Sequence, residues 1–225
     1  MFGVSDLWST TYPQAAVGML AMRGVANPGH HPVLDARKEE LEQEMRVSFD
    51  GCDRAELRAL PALQAYHTYY KRFKKTYHVQ LQLESVVLKG KSIPRVAALV
   101  ECMFMAELKN LVLTAGHDLD ALQTPVRAAV ARGDERYLRL NGQEQVLKAK
   151  DMFIADQQGI MSSVIYGPDQ RTQIRKETEA VLFTVYGVPG IGRGALEAHL
   201  QDIRDNVLLV CPAAEVAALE LLPRA

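Results

Sequence analysis

The chain has 225 residues, 48% apolar and 24% charged, with a formal net charge of −1. That is a globular composition, and it excludes a disordered or fibrous architecture and a uniformly basic nucleic-acid coat. A chain of this length buries roughly 70% of its unfolded surface as one domain, so residues 1–225 are expected to share a single core that needs no disulfide or metal staple.

In chain order, Ala15 to Ala26 is mostly apolar without helical spacing and runs into Asn27-Pro28-Gly29, which predicts a buried strand ending in a turn. Asp35 is placed to cap a helix through Arg46, where Glu39, Glu40 and Glu42 interleave with Lys38 and the apolar line is Leu41 and Met45; those charges predict a mostly solvated helix. Pro61 opens a second helix carrying Leu63, Tyr66, Tyr70 and Phe73 at helical spacing. A third, Gln80 to Lys89, stops at Gly90. Ser92 and Pro94 predict the cap and first turn of a fourth, with the apolar stripe Val96, Leu99, Val100, Met103, Phe104 and Leu108. After Asn110, short apolar segments punctuated by glycine predict strands at Val126–Ala131, Tyr137–Leu140, Asp151–Ala155, Ile160–Ile165 and Val181–Tyr186, with a tight hairpin at Asn141-Gly142. Gly194 to Asn206 predicts a closing helix. A helical N-terminal half followed by a strand-rich C-terminal half is the α+β pattern, not alternating α/β.

Chemistry-bearing patterns are sparse. Cys52, Cys102 and Cys211 are odd in number and lack C-x-x-C spacing, so they read as reduced thiols, with Cys102 a small core residue of the fourth helix. No His-x-x-x-His or His-Glu-x-x-His spacing occurs, and Val188 to Gly194 lacks the ending of a phosphate loop, so no metal and no cofactor are expected. Asp6 and Trp8 stand where a secretory leader is basic, and no apolar run reaches the ~18 residues that cross a bilayer, so the expected address is cytoplasmic, without a membrane partner. Lys71, Arg72, Lys74, Lys75, Lys89, Lys91 and Arg95 form a basic cluster interleaved with Tyr69, Tyr70, Phe73 and Tyr77. It reads either as a solvated face or as an RNA contact. His117-Asp118-Leu119-Asp120, after the apolar Leu111-Val112-Leu113, reads as a strand end that either carries function or caps a turn. Asp169, Arg171 and Thr172 precede Glu177-Thr178 in a polar loop between strands.

Taken in order, these pieces resemble the B3/B4 editing domain of the phenylalanyl-tRNA synthetase β chain. Its Val-Val-Asp-Val-Thr-Asn helix, Pro-Met-His-Ala-Phe-Asp-Leu-Asp segment, Leu-Asp-Gly-Thr hairpin, Ile-Ala-Asp strand end and Glu-Thr correspond here to the Val96–Leu108 helix, Leu113 to Asp120, Leu140 to Gln143, Ile154-Ala155-Asp156 and Glu177-Thr178. Tyr70 to Phe73, Val87 to Lys91 and Ile93 to Arg95 are similar to free-standing B3/B4 proteins, and the likeness covers about residues 60–190. The resemblance implies a three-layer β/β/α arrangement and a pocket that accepts the aminoacylated 3′ end of a tRNA and hydrolyses the ester of a mischarged amino acid in trans. Such hydrolysis needs a positioned water, a proton acceptor and donors for the oxyanion, while binding of the tRNA end supplies orientation.

The resemblance taken with the polar sets from His117 to Asp120 and from Ser162 to Thr172 gives His117 and Asp169 as the expected catalytic residues, and Asp118, Asp120, Ser162, Ser163, Tyr166, Arg171, Thr172 and Glu177 as the expected substrate contacts. The family histidine falls on Ala115, and His117 on the phenylalanine position; Asp169 stands near the glutamate of the family's Gly-Gly-Glu loop. Met161-Ser162-Ser163 replaces Met-Gly-Gly, which implies a smaller or more polar amino acid. A non-catalytic RNA-binding module, or a protein that binds an amino acid in the same pocket, are the alternative readings.

Overall fold

The computed structural model describes residues 2–223. In chain order it contains β1 (Phe2–Val4), α1 (Asp6–Thr11), β2 (Ala16–Arg23), α2 (Pro32–Ser48), α3 (Arg54–Arg58), α4 (Pro61–Lys71), α5 (His78–Val87), α6 (Ala98–Asn110) and β3 (Thr114–Asp118). A 3-10 turn at Leu119–Ala121 follows, then β4 (Val126–Val130), β5 (Arg136–Leu138), β6 (Glu144–Val146), β7 (Met152–Ala155), β8 (Ile160–Ser163), β9 (Gly167–Pro168), β10 (Ala180–Gly187), α7 (Arg193–Val210) and β11 (Glu215–Leu222). The class is α+β. Strand β2 precedes the main helices, as the apolar run at Ala15–Ala26 predicts, and β1 and the short α1 are added before it.

Two sheets organise the chain. One has the order β11-β2-β10-β3 and the other β1-β4-β7-β8-β9, while β5 and β6 form a separate hairpin. Strands β2 and β10 are buried along nearly their whole length. Covering on both faces is why they read as continuous apolar runs without alternation. Their register pairs Gly18 with Val185, and β10 in turn pairs Leu182 with His117 and Phe183 with Gly116 on β3.

Alternation along a strand sends successive side chains to opposite faces. On one face α7 lies close: a Cβ on Gly18 would stand 2.9 Å from Leu200 Cδ1, and one on Gly187 2.7 Å from Leu196 Cδ1 and 2.9 Å from the Ala16 carbonyl oxygen. Glycine at these two positions lets the helix approach. On the other face, His117 Nε2 lies 3.2 Å from Ser162 Oγ on β8 of the second sheet, and the Tyr186 hydroxyl meets that same oxygen at 2.5 Å. Sheet, sheet and helix thus stack as β/β/α, around an apolar core that is continuous from Trp8 to Leu222.

Several local expectations are corrected. Helix α2 begins at Pro32, with no side-chain cap, and Asp35, Lys38 and Glu42 are buried, not solvated. Lys38 Nζ lies 2.8 Å from Asp35 Oδ1 and also pairs with Glu101 of α6. The Ser92–Pro94 cap does not form. Residues 92–97 stay outside the helix because buried carboxylates capture the backbone, with Glu42 accepting from the Ile93 N–H at 2.6 Å and Glu101 from the Val96 N–H at 2.7 Å. His117 and Asp118 are the last two residues of β3, which begins only at Thr114, after Leu111–Leu113, and α7 extends to Val210. Strand β11 reads Glu-Val-Ala-Ala-Leu-Glu-Leu-Leu, whose residues mostly favour helix, and only pairing with β2 makes it a strand.

Candidate functional site

Strand β3 is the edge of its sheet, and α6 packs beside it. Between them and the β8–β9 segment lies a cavity of about 570 Å³. Its floor is open because residue 116 is glycine: a Cβ there would stand 2.6 Å from Ile174 Cδ1 and 3.2 Å from Met103 Sδ. The apolar stripe of α6 is therefore divided. Leu99 and Leu108 enter the core, whereas Val100, Met103 and Phe104 are half-buried on the cavity wall.

The same wall carries one acid, Glu107, a turn beyond Met103 and only 1% exposed. Its Oε1 accepts a hydrogen bond from the Thr114 N–H at 2.7 Å, while Oε2 has no partner. Burial pushes this carboxyl up to about 8, against the pull of that N–H, so the acid is mostly neutral at pH 7. Behind it the Thr114 hydroxyl lies 2.6 Å from His199 Nε2, and burial lowers that imidazole to about 3. A second buried acid, Asp151, accepts from the Tyr69 hydroxyl at 2.9 Å and is raised to about 7 by burial.

Cations meet the cavity at Tyr166. Lys75 Nζ lies 5.9 Å from the centre of that ring, and Arg139, half-buried on the wall, forms no ion pair among the described residues. Lys71, Arg72, Lys74, Lys75, Lys89, Lys91 and Arg95 are all exposed. Arg72 stands over the Tyr12 ring at 5.9 Å, and Arg95 is 3.6 Å from Asp35. The interleaved aromatics are not available to bases: Tyr69, Tyr70, Phe73 and Tyr77 are buried against one another, and the Tyr70 hydroxyl donates to the Val164 carbonyl at 2.7 Å.

Of the residues expected at the site, Ser163 and Tyr166 line this cavity, beside Ala115. His117 does not; it is fully buried between Thr172 Oγ1 (2.8 Å) and Ser162 Oγ (3.2 Å), and burial lowers it to about 3. Asp169 is buried, accepts from the Thr172 N–H at 3.1 Å and from its hydroxyl, and borders a separate polar hollow with Arg171. Arg171 donates two hydrogen bonds to Asp156, at 3.0 and 2.8 Å. Asp118 accepts from Thr178 Oγ1 at 2.8 Å and from the Asp120 N–H at 3.1 Å, so it closes a turn; Asp120 pairs with Arg23 at 3.2 Å, and Glu177 is exposed. Sequence reasoning missed Glu107 and Arg139. Glu107 carries a readable signal, since it lies four residues from Met103 and three from Phe104 and so places an acid on an apolar stripe.

Among the described residues, no group of three His, Cys, Asp or Glu is arranged to hold a metal ion, and no helix is long and apolar enough to cross a membrane. No curated protein matches the sequence. Among solved structures, the fold is similar to an N-terminal fragment of the phenylalanyl-tRNA synthetase β-subunit from Pyrococcus horikoshii, with a TM-score of 0.52 and 9% identity, over 100% of this chain. The chain spans 54% of that fragment. The family model described as the B3/4 domain matches residues 63–202, more than half of the sequence, and contains α6, β3, the β8–β9 segment and thus every wall of the cavity. The chain belongs to the B3/4 domain family.

Proposed function

We propose that this protein is a cytoplasmic, trans-acting aminoacyl-tRNA deacylase, working as one unit of residues 1–225, whose cavity takes the acylated 3′ end of a mischarged tRNA. Kinship with the synthetase β chain supports the substrate class. The single observation that carries the reading is positional: an exposed basic run, Lys71 to Lys75, ends at Tyr166 on the rim of the cavity, where Arg139 is a second cation without an acid. Phosphates tracking that run deliver a terminal ribose to the cavity mouth, and the apolar wall of Val100, Met103 and Phe104 receives the amino-acid side chain.

Ester hydrolysis then needs a water and a proton acceptor. Of the ionisable side chains on the wall, Glu107 is largely protonated at pH 7 and so is a poor base, while the imidazole of His78 is shifted toward its neutral form. The vicinal ribose hydroxyl of the tRNA is the proposed proton relay, taking the water's proton as it passes its own to the leaving ribose oxygen, with Ser163 and Thr114 as the hydroxyls nearest the acyl group. His117 and Asp169 act by position, tying β3 to the loop at Thr172.

A non-catalytic tRNA-binding module is favoured by one observation, Ala115 on the cavity wall where the family places its histidine. A panel of mischarged tRNAs separates the two. Deacylation of at least one at roughly tenfold the buffer rate or more supports the enzyme; binding of tRNA with no member of the panel hydrolysed refutes it and leaves the module.

A further inference from the structure

The cavity contains an unmet electrostatic demand. Glu107 is 1% exposed, one of its oxygens takes the Thr114 N–H at 2.7 Å, and the other has no partner. Buried carboxyls are ordinarily paired with a cation or fully hydrogen-bonded, because an unpaired buried charge is costly. Among the described residues no cation opposes it: burial and the single Thr114 N–H are what set its protonation. Around it the wall is apolar, and the unpaired Arg139 lies instead with Tyr166 and Tyr137.

We propose that Glu107 is a specificity-determining residue that selects ligands bearing an ammonium group, which enters the cavity and takes the free Oε2. This rests on the deacylase reading for its natural ligand, where the ammonium belongs either to the α-amino group of the ester or to the amino-acid side chain. A neutral hydroxyl gains less at this position, because only a cation turns the buried acid into a charge-assisted pair.

Binding then has a proton signature. Glu107 is raised to about 8 in the free protein, so at pH 7 roughly nine-tenths of it is protonated. An incoming ammonium favours the carboxylate, and close to one proton leaves per ligand bound. Asp151, behind the cavity residue Ser163, is raised to about 7 and titrates in the same window, so the release is assigned to Glu107 by its loss in Glu107→Gln; the remaining groups facing this site do not titrate there. His199 behind Thr114 is held at about 3, His78 on the rim is lowered, and Tyr66, Tyr70 and Tyr77 packed beneath are raised by burial.

The test is calorimetry on the full chain, in buffers of different ionisation enthalpy, with four probes: leucinol, Nα-acetyl-lysine methyl ester, N-acetyl-leucinol and N-acetyl-tyrosinamide. The first carries only an α-ammonium, the second only a side-chain ammonium, and the last two carry none. One ammonium probe is expected to bind at least roughly tenfold tighter than both neutral probes, with proton release that is near one at pH 7 and fades above pH 9. Whichever ammonium probe binds identifies the source. Glu107→Gln, which keeps the acceptor for Thr114, is expected to lose both the preference and the proton release while melting as a folded protein. Neutral probes binding as tightly, no probe binding, absent proton release in the unmodified chain, or an unchanged preference in Glu107→Gln would each overturn the assignment. Ammonium selectivity in a protein that hydrolyses no aminoacyl-tRNA would instead remove the deacylase reading and leave this one standing.

Discussion

Replacing Glu107 by glutamine should change how stability depends on pH. In the folded chain the carboxyl is raised from 4.5 to about 8, chiefly by burial. Between those values the folded state holds a proton that the unfolded state has released. Stability therefore falls as pH rises through that window, at about 1.4 kcal/mol per unit for one such group. The full window has a ceiling on the order of 5 kcal/mol for this residue. Asp151, raised from 3.8 to about 7, contributes with the same sign at slightly lower pH. Glutamine cannot ionise, and its amide oxygen retains the Thr114 N–H. The variant is thus expected to match the parent near pH 5 and to be more stable by several kcal/mol near pH 8.5, roughly the integrated shift. Urea melts at pH 5, 6.5 and 8.5 measure the difference directly. Parallel pH profiles for the two proteins, or a variant that loses stability faster in alkali, would refute the argument that an unpaired acid is buried here.

Three other outcomes follow from the geometry. His117→Ala removes one buried hydrogen-bond partner from each of Ser162 and Thr172. It is expected to cost about 2–4 kcal/mol in denaturant melts while the folded fraction still binds cavity probes; lost binding at full stability would restore a direct role. Changing Lys71, Lys74 and Lys75 together to glutamine should weaken tRNA binding and reduce the slope of log affinity against log salt by about 2–3, leaving small probes unaffected. Filter binding at several salt concentrations reads that slope. Gly116→Ala places a methyl 2.6 Å from Ile174 Cδ1, the movable end of a half-buried side chain. Ligand affinity should fall with a stability change of about 1 kcal/mol or less; an unaltered affinity would show that the floor of the cavity is not used.

Strands β2 and β10 were legible because burial on both faces writes itself into sequence as an unbroken apolar run. Helix α4 was legible for a different reason: Pro61 opens it, and Leu63, Tyr66 and Tyr70 recur along one face. Tyr69 and Tyr77 illustrate what was not. Two residues from lysines in sequence, they suggest mixed RNA contacts, yet helix and turn geometry carries the rings inward and the charges outward. His117 failed as a cavity residue because strand phase decides which way a side chain faces. The phase of β3 is fixed by its register with β10, Leu182 opposite His117, and that long-range pairing leaves no local mark. Ser163 and Tyr166 were reached through the family resemblance, not through any pattern of their own.

The family match at residues 63–202 omits β2, which lies between β11 and β10 inside the sheet. Recognition by motif and autonomy in folding thus divide this polypeptide differently. A fragment trimmed to the matched residues would expose the eight-residue edge of β10 from Ala180 to Gly187, apolar and stripped of its antiparallel neighbour. Such an edge templates pairing with other chains. Dissection of this protein down to the matched residues would therefore yield an assembling, insoluble product unless the first 23 residues travel with it.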